Sequence, residues 1–215
     1  MNLTTPFLLF GTDTSLAMTL VLPLLAGLII PFARRHPNLR EGISITTSLL
    51  LLTSCLTLYL KFQQGDSPKW HLLEILPGLT ISFEIEPLGL LFAIMSSFLW
   101  LLTSVYSIGY MRGNRERNQT RFYICFGLAL FGAMGVAMAG NLFTLFVFYE
   151  VLTLSTYPLV AHKGDENARR GARIYLLTLL GTSIGLLLMG IVWTFAIAGS
   201  LDFVPGGLLA GKVGP

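Results

Sequence analysis

From Ala139 to His162 the chain reads AGNLFTLFVFYEVLTLSTYPLVAH, and this stretch decides the fold. Apart from Glu150 it carries no acid, lysine or arginine, and upstream the same character runs unbroken back to Phe122. One helix crosses the hydrocarbon with about 20 apolar residues, so a block reaching from 122 to 162 is about twice too long for one crossing. Ala139-Gly140-Asn141 is its only turn-like break. The block therefore divides into two helices, 120–139 and 141–161. Glu150 falls about ten residues into the second, close to the bilayer midplane.

The rest of the chain follows the same rule. Hydrophobic residues make up 53% of the 215 and charged residues only 12%. With a mean hydropathy of +0.71, that balance excludes a soluble domain with a solvated surface. Charge-free blocks at 14–33, 42–60, 87–111 and 174–201 bring the expected total to six helices: 15–33, 42–62, 88–110, 120–139, 141–161 and 171–198. The fold class is thus an all-α membrane protein. Eleven of the fourteen cationic residues lie in the first, third and fifth loops; only Lys61, Lys69 and Lys212 lie elsewhere. The positive-inside rule makes those odd loops cytoplasmic, both termini outer, and the location a multi-pass place in the cytoplasmic (inner) membrane. The net charge of +3 needs no nucleic acid to explain it. No positive charge precedes the first apolar run, and Arg34 and Arg35 follow it, so that run is an anchor rather than a cleaved signal peptide. Cys55 and Cys125 fall inside helices without paired spacing, which points to buried thiols rather than a disulfide framework or a metal site.

Between the second and third helices, residues 63–86 form the one sizeable segment outside the membrane. Its second arm alternates Leu79, Ile81, Phe83 and Ile85 with Thr80, Ser82, Glu84 and Glu86, the period-two pattern of a strand, after a Pro77-Gly78 turn. A short outer-face β-hairpin is expected, serving either as an ordinary solvated loop or, with Asp66 and Glu74 added, as an acidic vestibule. In the fourth helix Ala129, Ala133 and Ala137 recur at four-residue spacing beside Gly132, Gly135 and Ala139. Small residues so spaced let helix backbones approach closely in lipid. Gly181, Ser183, Gly185 and Gly190 lend the sixth helix a similar, less regular stripe.

Glu150 carries the chemistry. A carboxyl at the midplane costs at least ~2.5 to 3.5 kcal/mol on insertion scales, and intramembrane acids mark ion paths or proton relays. Poor solvation is expected to raise its pKa unless a cation lies close. Thr153 and Tyr157 follow on the same helical face, and Pro158 frees the carbonyl of Leu154. Arg173 is expected in the first turn of the sixth helix, either as a topology marker or as a functional charge. His162 closes the fifth helix, where it suits the helix dipole or could pass protons between bulk and the stripe. His36 and His71 belong to loops. No phosphate loop, nucleophile–base constellation or metal-ligand spacing is present, so no catalytic site, cofactor or metal of the chain's own is expected.

The segment from Asn141 to Val160, NLFTLFVFYEVLTLSTYPLV, resembles the fifth helix of the antiporter-like subunits shared by respiratory complex I, membrane-bound hydrogenases and Mrp-type sodium/proton antiporters. FEIEPLGLLF (83–92) is similar to the strand-to-helix entry of the third helix, and YSIGY (106–110) to its exit. GARIYLLTLLG (171–181) and GSLDF (199–203) resemble the sixth helix and the loop after it, and FYEVLTL and YMR look most like the D-type Mrp subunit. The resemblance implies that Glu150 matches the family's functional glutamate and that Arg173 occupies a position often basic in relatives. It implies two regions, a peripheral three-helix segment with the hairpin at 1–110 and the start of a five-helix translocation unit at 111–215. It further implies a seventh helix bearing a lysine that partners the glutamate. No such helix lies within these residues. Two readings follow: an amino-terminal half of a proton or sodium/proton translocating subunit, completed in trans by a lysine-bearing polypeptide within a larger complex, or a truncated, non-conducting subunit kept for assembly. Relatives in inorganic-carbon uptake and hydrogenase-linked complexes keep those substrate classes open, as they do a link to redox-driven pumping. The expected partners are other membrane subunits, lipid, H+ and Na+.

Overall fold

The computed structural model describes residues 12–76 and 78–212. The charge-free leader before residue 12, Pro77 of the expected turn and the last three residues of the second region lie outside them. Among the described residues six spans are long and apolar enough to cross a membrane. In chain order they are α1 (Thr12–Ile29, extended by a 3-10 turn, Ile30–Ala33), α2 (Pro37–Gln63), α3 (Pro87–Gly113), α4 (Gln119–Ala137), α5 (Leu142–Val160) and a composite sixth span. The sixth consists of α6 (Glu166–Thr182), a π-helical segment (Ser183–Leu188) and α7 (Met189–Ala198). A two-stranded antiparallel hairpin, β1 (Lys69–Leu76) and β2 (Leu79–Glu84), separates α2 from α3.

The helix starts differ from the expected ones for a physical reason. A charge-free window rejects Arg40 and Glu41, yet α2 begins at Pro37, where the missing N–H and fixed φ of proline suit the first helical position. α6 begins at Glu166 rather than 171, because the Asp165 carboxylate accepts from the Ala168 N–H at 2.6 Å and caps it. The sixth span is 33 residues long, or about 50 Å at the helical rise. Hydrocarbon is only ~30 Å thick, so its basic first turns lie beyond the apolar slab. Arg173 thus stands two turns inside α6 rather than in its first turn, and it is exposed.

α1 to α4 pack into a ring, with α1 against α2 and α4, α2 against α3, and α3 closing on α4. α5 packs on the other side of α4, and α6 on α5. The core of the ring holds Leu16, Leu51, Cys55, Leu58, Leu90, Trp100, Tyr123 and Met134, each 3% exposed or less. Cys125 is buried as well. Small residues set the spacings. A Cβ at Gly127 would lie 3.3 Å from the backbone of Pro23 and Gly27 in α1, and one at Gly132 would lie 2.8 Å from the Leu152 nitrogen in α5. The expected stripe on the sixth span behaves otherwise: Gly181, Gly185 and Gly190 meet nothing within 4 Å and face outward. Only 11% of the apolar window of that span is buried.

One arm of the hairpin is packed into the fold rather than left as a solvated loop, while Asp66, Glu74 and Glu86 stay exposed. β1 is exposed apart from the half-buried Trp70, whereas Ser82, Phe83 and Ile85 are buried. Phe83 packs edge-on against Phe148 of α5 with ring centroids 5.3 Å apart. Glu84 pairs with Lys69 across the hairpin at 2.7 Å.

Candidate functional site

The turn between α4 and α5 is where the site is anchored. Asn141 is buried, and its side-chain oxygen accepts from the Thr144 N–H at 2.7 Å, capping α5. Its amide donates to the Thr80 carbonyl and the Ser82 hydroxyl, both at 2.9 Å. The Thr144 hydroxyl in turn accepts from the Ser82 N–H at 3.0 Å. Backbone bonds extend the clamp: Glu84 N–H to Met138 O, Gly140 N–H to Ser82 O, and Leu142 N–H to Leu201 O. Buried polar groups so fully paired hold a single arrangement. The start of α5 is thereby tied to β2 and to the loop after α7.

From that anchor α5 carries Glu150 to the ninth of its 19 residues, about 12 Å along the axis. The carboxylate is half-buried; its Oε1 is enclosed and has no hydrogen-bond partner among the described residues. None of the ion pairs found among them includes Glu150. A polar atom enclosed at this depth without a partner is costly, and such exceptions mark functional groups.

Thr153 is buried one turn on and Tyr157 is half-buried, but neither side chain hydrogen-bonds to the Glu150 carboxylate. The bonded pair lies one residue to the side, where the Thr156 hydroxyl meets the Tyr175 hydroxyl of α6 at 2.9 Å. This α5–α6 link escaped the sequence reading because it followed one helix face instead of pairing two helices. The π segment escaped it too, since no proline marks it. Such segments occur often at functional sites. This one borders a cleft of about 410 Å³ lined by Tyr149, Thr182, Ser183, Leu186 and Leu187.

At the basic-loop end, His162 packs edge-on against Phe122, and both its ring nitrogens are enclosed without partners. Its carbonyl accepts from Arg121 Nη2 at 3.1 Å. Burial, and then the Arg121 charge, hold its pKa below the ordinary 6.5. Arg173 is exposed. Among the described residues no group of three metal-binding side chains occurs.

The described residues thus hold six apolar spans, a hairpin clamped to the turn between the fourth and fifth, and a mid-span carboxylate whose Oε1 has no partner among them. Residues 77–123 match the family described as NADH-ubiquinone oxidoreductase (complex I), chain 5 N-terminus. Residues 139–209 match NADH:quinone oxidoreductase/Mrp antiporter, transmembrane region. The NADH-quinone oxidoreductase subunit N of Desulforudis audaxviator is 30% identical over 181 residues, covering 83% of this chain and 34% of that protein. A Staphylococcus saprophyticus protein named as antiporter subunit mnhD2 is 30% identical over 196 residues, covering 87% and 37%. The structure of the Mrp complex from Dietzia shares the fold at a TM-score of 0.75 and 21% identity, over 90% of this chain and 36% of that one. The chain belongs to the antiporter-like subunit family shared by complex I and the Mrp antiporters, and it spans about a third of the length of the two relatives named here.

Proposed function

We propose that this chain supplies the acid half of a proton, or sodium/proton, translocation path in a multisubunit membrane complex, with Glu150 as the exchanging group. The observation that carries the reading is the enclosed, unpartnered Oε1 at mid-span. A cation for it has to come from water, from an ordered relay or from a segment outside the described residues. The family resemblance favours a lysine on another helix, carried by this polypeptide or by a neighbouring membrane subunit. In this reading residues 1–110 brace the path, residues 111–215 begin it, and the basic loops face the cytoplasm across the inner membrane. Thr153 and Tyr157 extend the polar side of α5, and His162 and Arg173 stand toward its basic-loop end.

The test is Glu150→Gln in the assembled complex, read by ion flux in proteoliposomes. Flux should fall at least tenfold while subunit stoichiometry is unchanged; undiminished flux would sink the reading.

A second reading, of a structural subunit that conducts nothing, draws on the outward face of the sixth span. There Leu177, Leu186, Met189 and Trp193 are each at least 70% exposed. It expects Glu150→Gln to be silent in transport and charged replacements at Leu186 or Trp193 on that face to break assembly. An inorganic-carbon or hydrogenase-linked role keeps the same site and changes only what the complex couples to.

A further inference from the structure

The basic-loop end of α4 carries a feature that the translocation path does not use. α4 starts at Gln119 after Asn118, whose φ of +58 gives no side-chain cap, and its first turn contains no acid. The first N–H groups of a helix lack internal partners and carry its positive dipole end. They open onto a cavity of about 580 Å³ lined by Arg34, Arg40 and Arg121, with Gln119 and Thr120 between. Glu116 is the one acid on its wall.

Arg40 supplies the independent observation. It is only 4% exposed. Its Nη1 donates to the Thr120 hydroxyl at 3.1 Å, and its Nη2 to the Gln119 side-chain oxygen at 2.8 Å and to Glu41 at 3.3 Å. Nε, however, is enclosed with no partner, and so is Nε of Arg121 on the same wall. Two orphaned guanidinium donors beside an uncapped helix start ask for an anion with several acceptor oxygens. The cavity lies where the first span ends and the fourth begins, at headgroup depth. Next to its Pro31 wall, Leu28, Ile29 and Phe32 are exposed at 55%, 45% and 88%, an apolar flank suited to acyl chains.

We propose that this cavity is a binding site for the phosphate group of an anionic phospholipid.

The full chain, extracted together with the membrane subunits that accompany it and then delipidated, should retain added phosphatidylglycerol in native mass spectrometry and should not retain phosphatidylcholine. Arg34→Gln and Arg121→Gln should each weaken retention roughly fivefold, as expected for one basic side chain at a membrane surface. Arg117→Gln, in the same loop but off the cavity wall, should leave it unchanged. Arg34 is exposed, so its variant tests the site even if the Arg121 variant misfolds. Equal retention of phosphatidylcholine, binding of inorganic phosphate as tight as that of the lipid, or an Arg117→Gln loss matching that of Arg34→Gln would each overturn the proposal.

Discussion

Gly135 of α4 lies directly against the ring of Phe148 of α5: a Cβ at position 135 would fall 1.8 Å from Cδ1 of that ring. The same ring meets Phe131 edge-on at 5.2 Å and Phe83 of β2 at 5.3 Å. One phenyl group therefore ties together α4, α5 and the hairpin, and only a hydrogen at position 135 leaves it room.

Gly135→Ala should destabilise the chain by about 1–3 kcal/mol through overpacking. Because the intruding contact is with the ring itself, Phe148→Leu in the same chain should recover part of that loss. Thermal unfolding in detergent, followed through the double-mutant cycle, checks this; additive losses would mean that the two residues do not share one space.

Asn141→Ala removes the cap of α5 and the donor to Thr80 and Ser82 together. A lost cap costs about 1 kcal/mol, and stranding buried acceptors about 1–3 more. A fall in thermal midpoint larger than that of an ordinary cap variant, Asp165→Ala for example, is the expected outcome. Equal falls would show that the hairpin contact contributes nothing.

Glu41 receives a bidentate grip from Arg112, at 3.1 Å and 2.5 Å, and is itself only 5% exposed. Glu41→Ala leaves Arg40 buried without its carboxylate, a loss of about 2–4 kcal/mol given that Arg112 is half exposed and partly screened. Protease resistance of the α2–α3 end reports it, and wild-type resistance would contradict it.

Glu150→Gln should behave oppositely in stability. If Glu150 had a cationic partner within this chain, the amide would cost about 3–5 kcal/mol. With none among the described residues, the thermal midpoint of the isolated chain should stay level or rise.

His162 makes a pH prediction. Its folded pKa lies below the unfolded 6.5, so below about that pH the unfolded chain binds more protons and stability falls. The contribution is complete above 6.5 and is lost as pH drops through the lower folded value. His162→Gln should flatten the stability profile of the wild type just below pH 6.5; an unchanged slope would show that the ring is not what titrates there.

The six spans, the split at Ala139-Gly140-Asn141, the hairpin and the depth of Glu150 were all legible along the chain. Each depends on a run length or a period that one segment carries by itself. Arg40 and Glu41 show the limit of that reading. Charge alone places them in a loop, while in the fold they lie inside α2, buried because Arg112, Gln119 and Thr120 arrive from α3 and α4 to satisfy them. Asn141 shows it again. Its turn was visible, but its hold on Thr80 and Ser82, some sixty residues away, was not.

What the sequence by itself determined is therefore the partition between lipid and water, because the hydrophobic effect acts on each segment according to its own composition. Only the tertiary structure decided which polar groups find partners, since a hydrogen bond needs two groups brought to about 3 Å by separate elements. It satisfied Asn141, Glu41 and most of Arg40, and left Oε1 of Glu150, in the middle of α5, without a partner among the described residues.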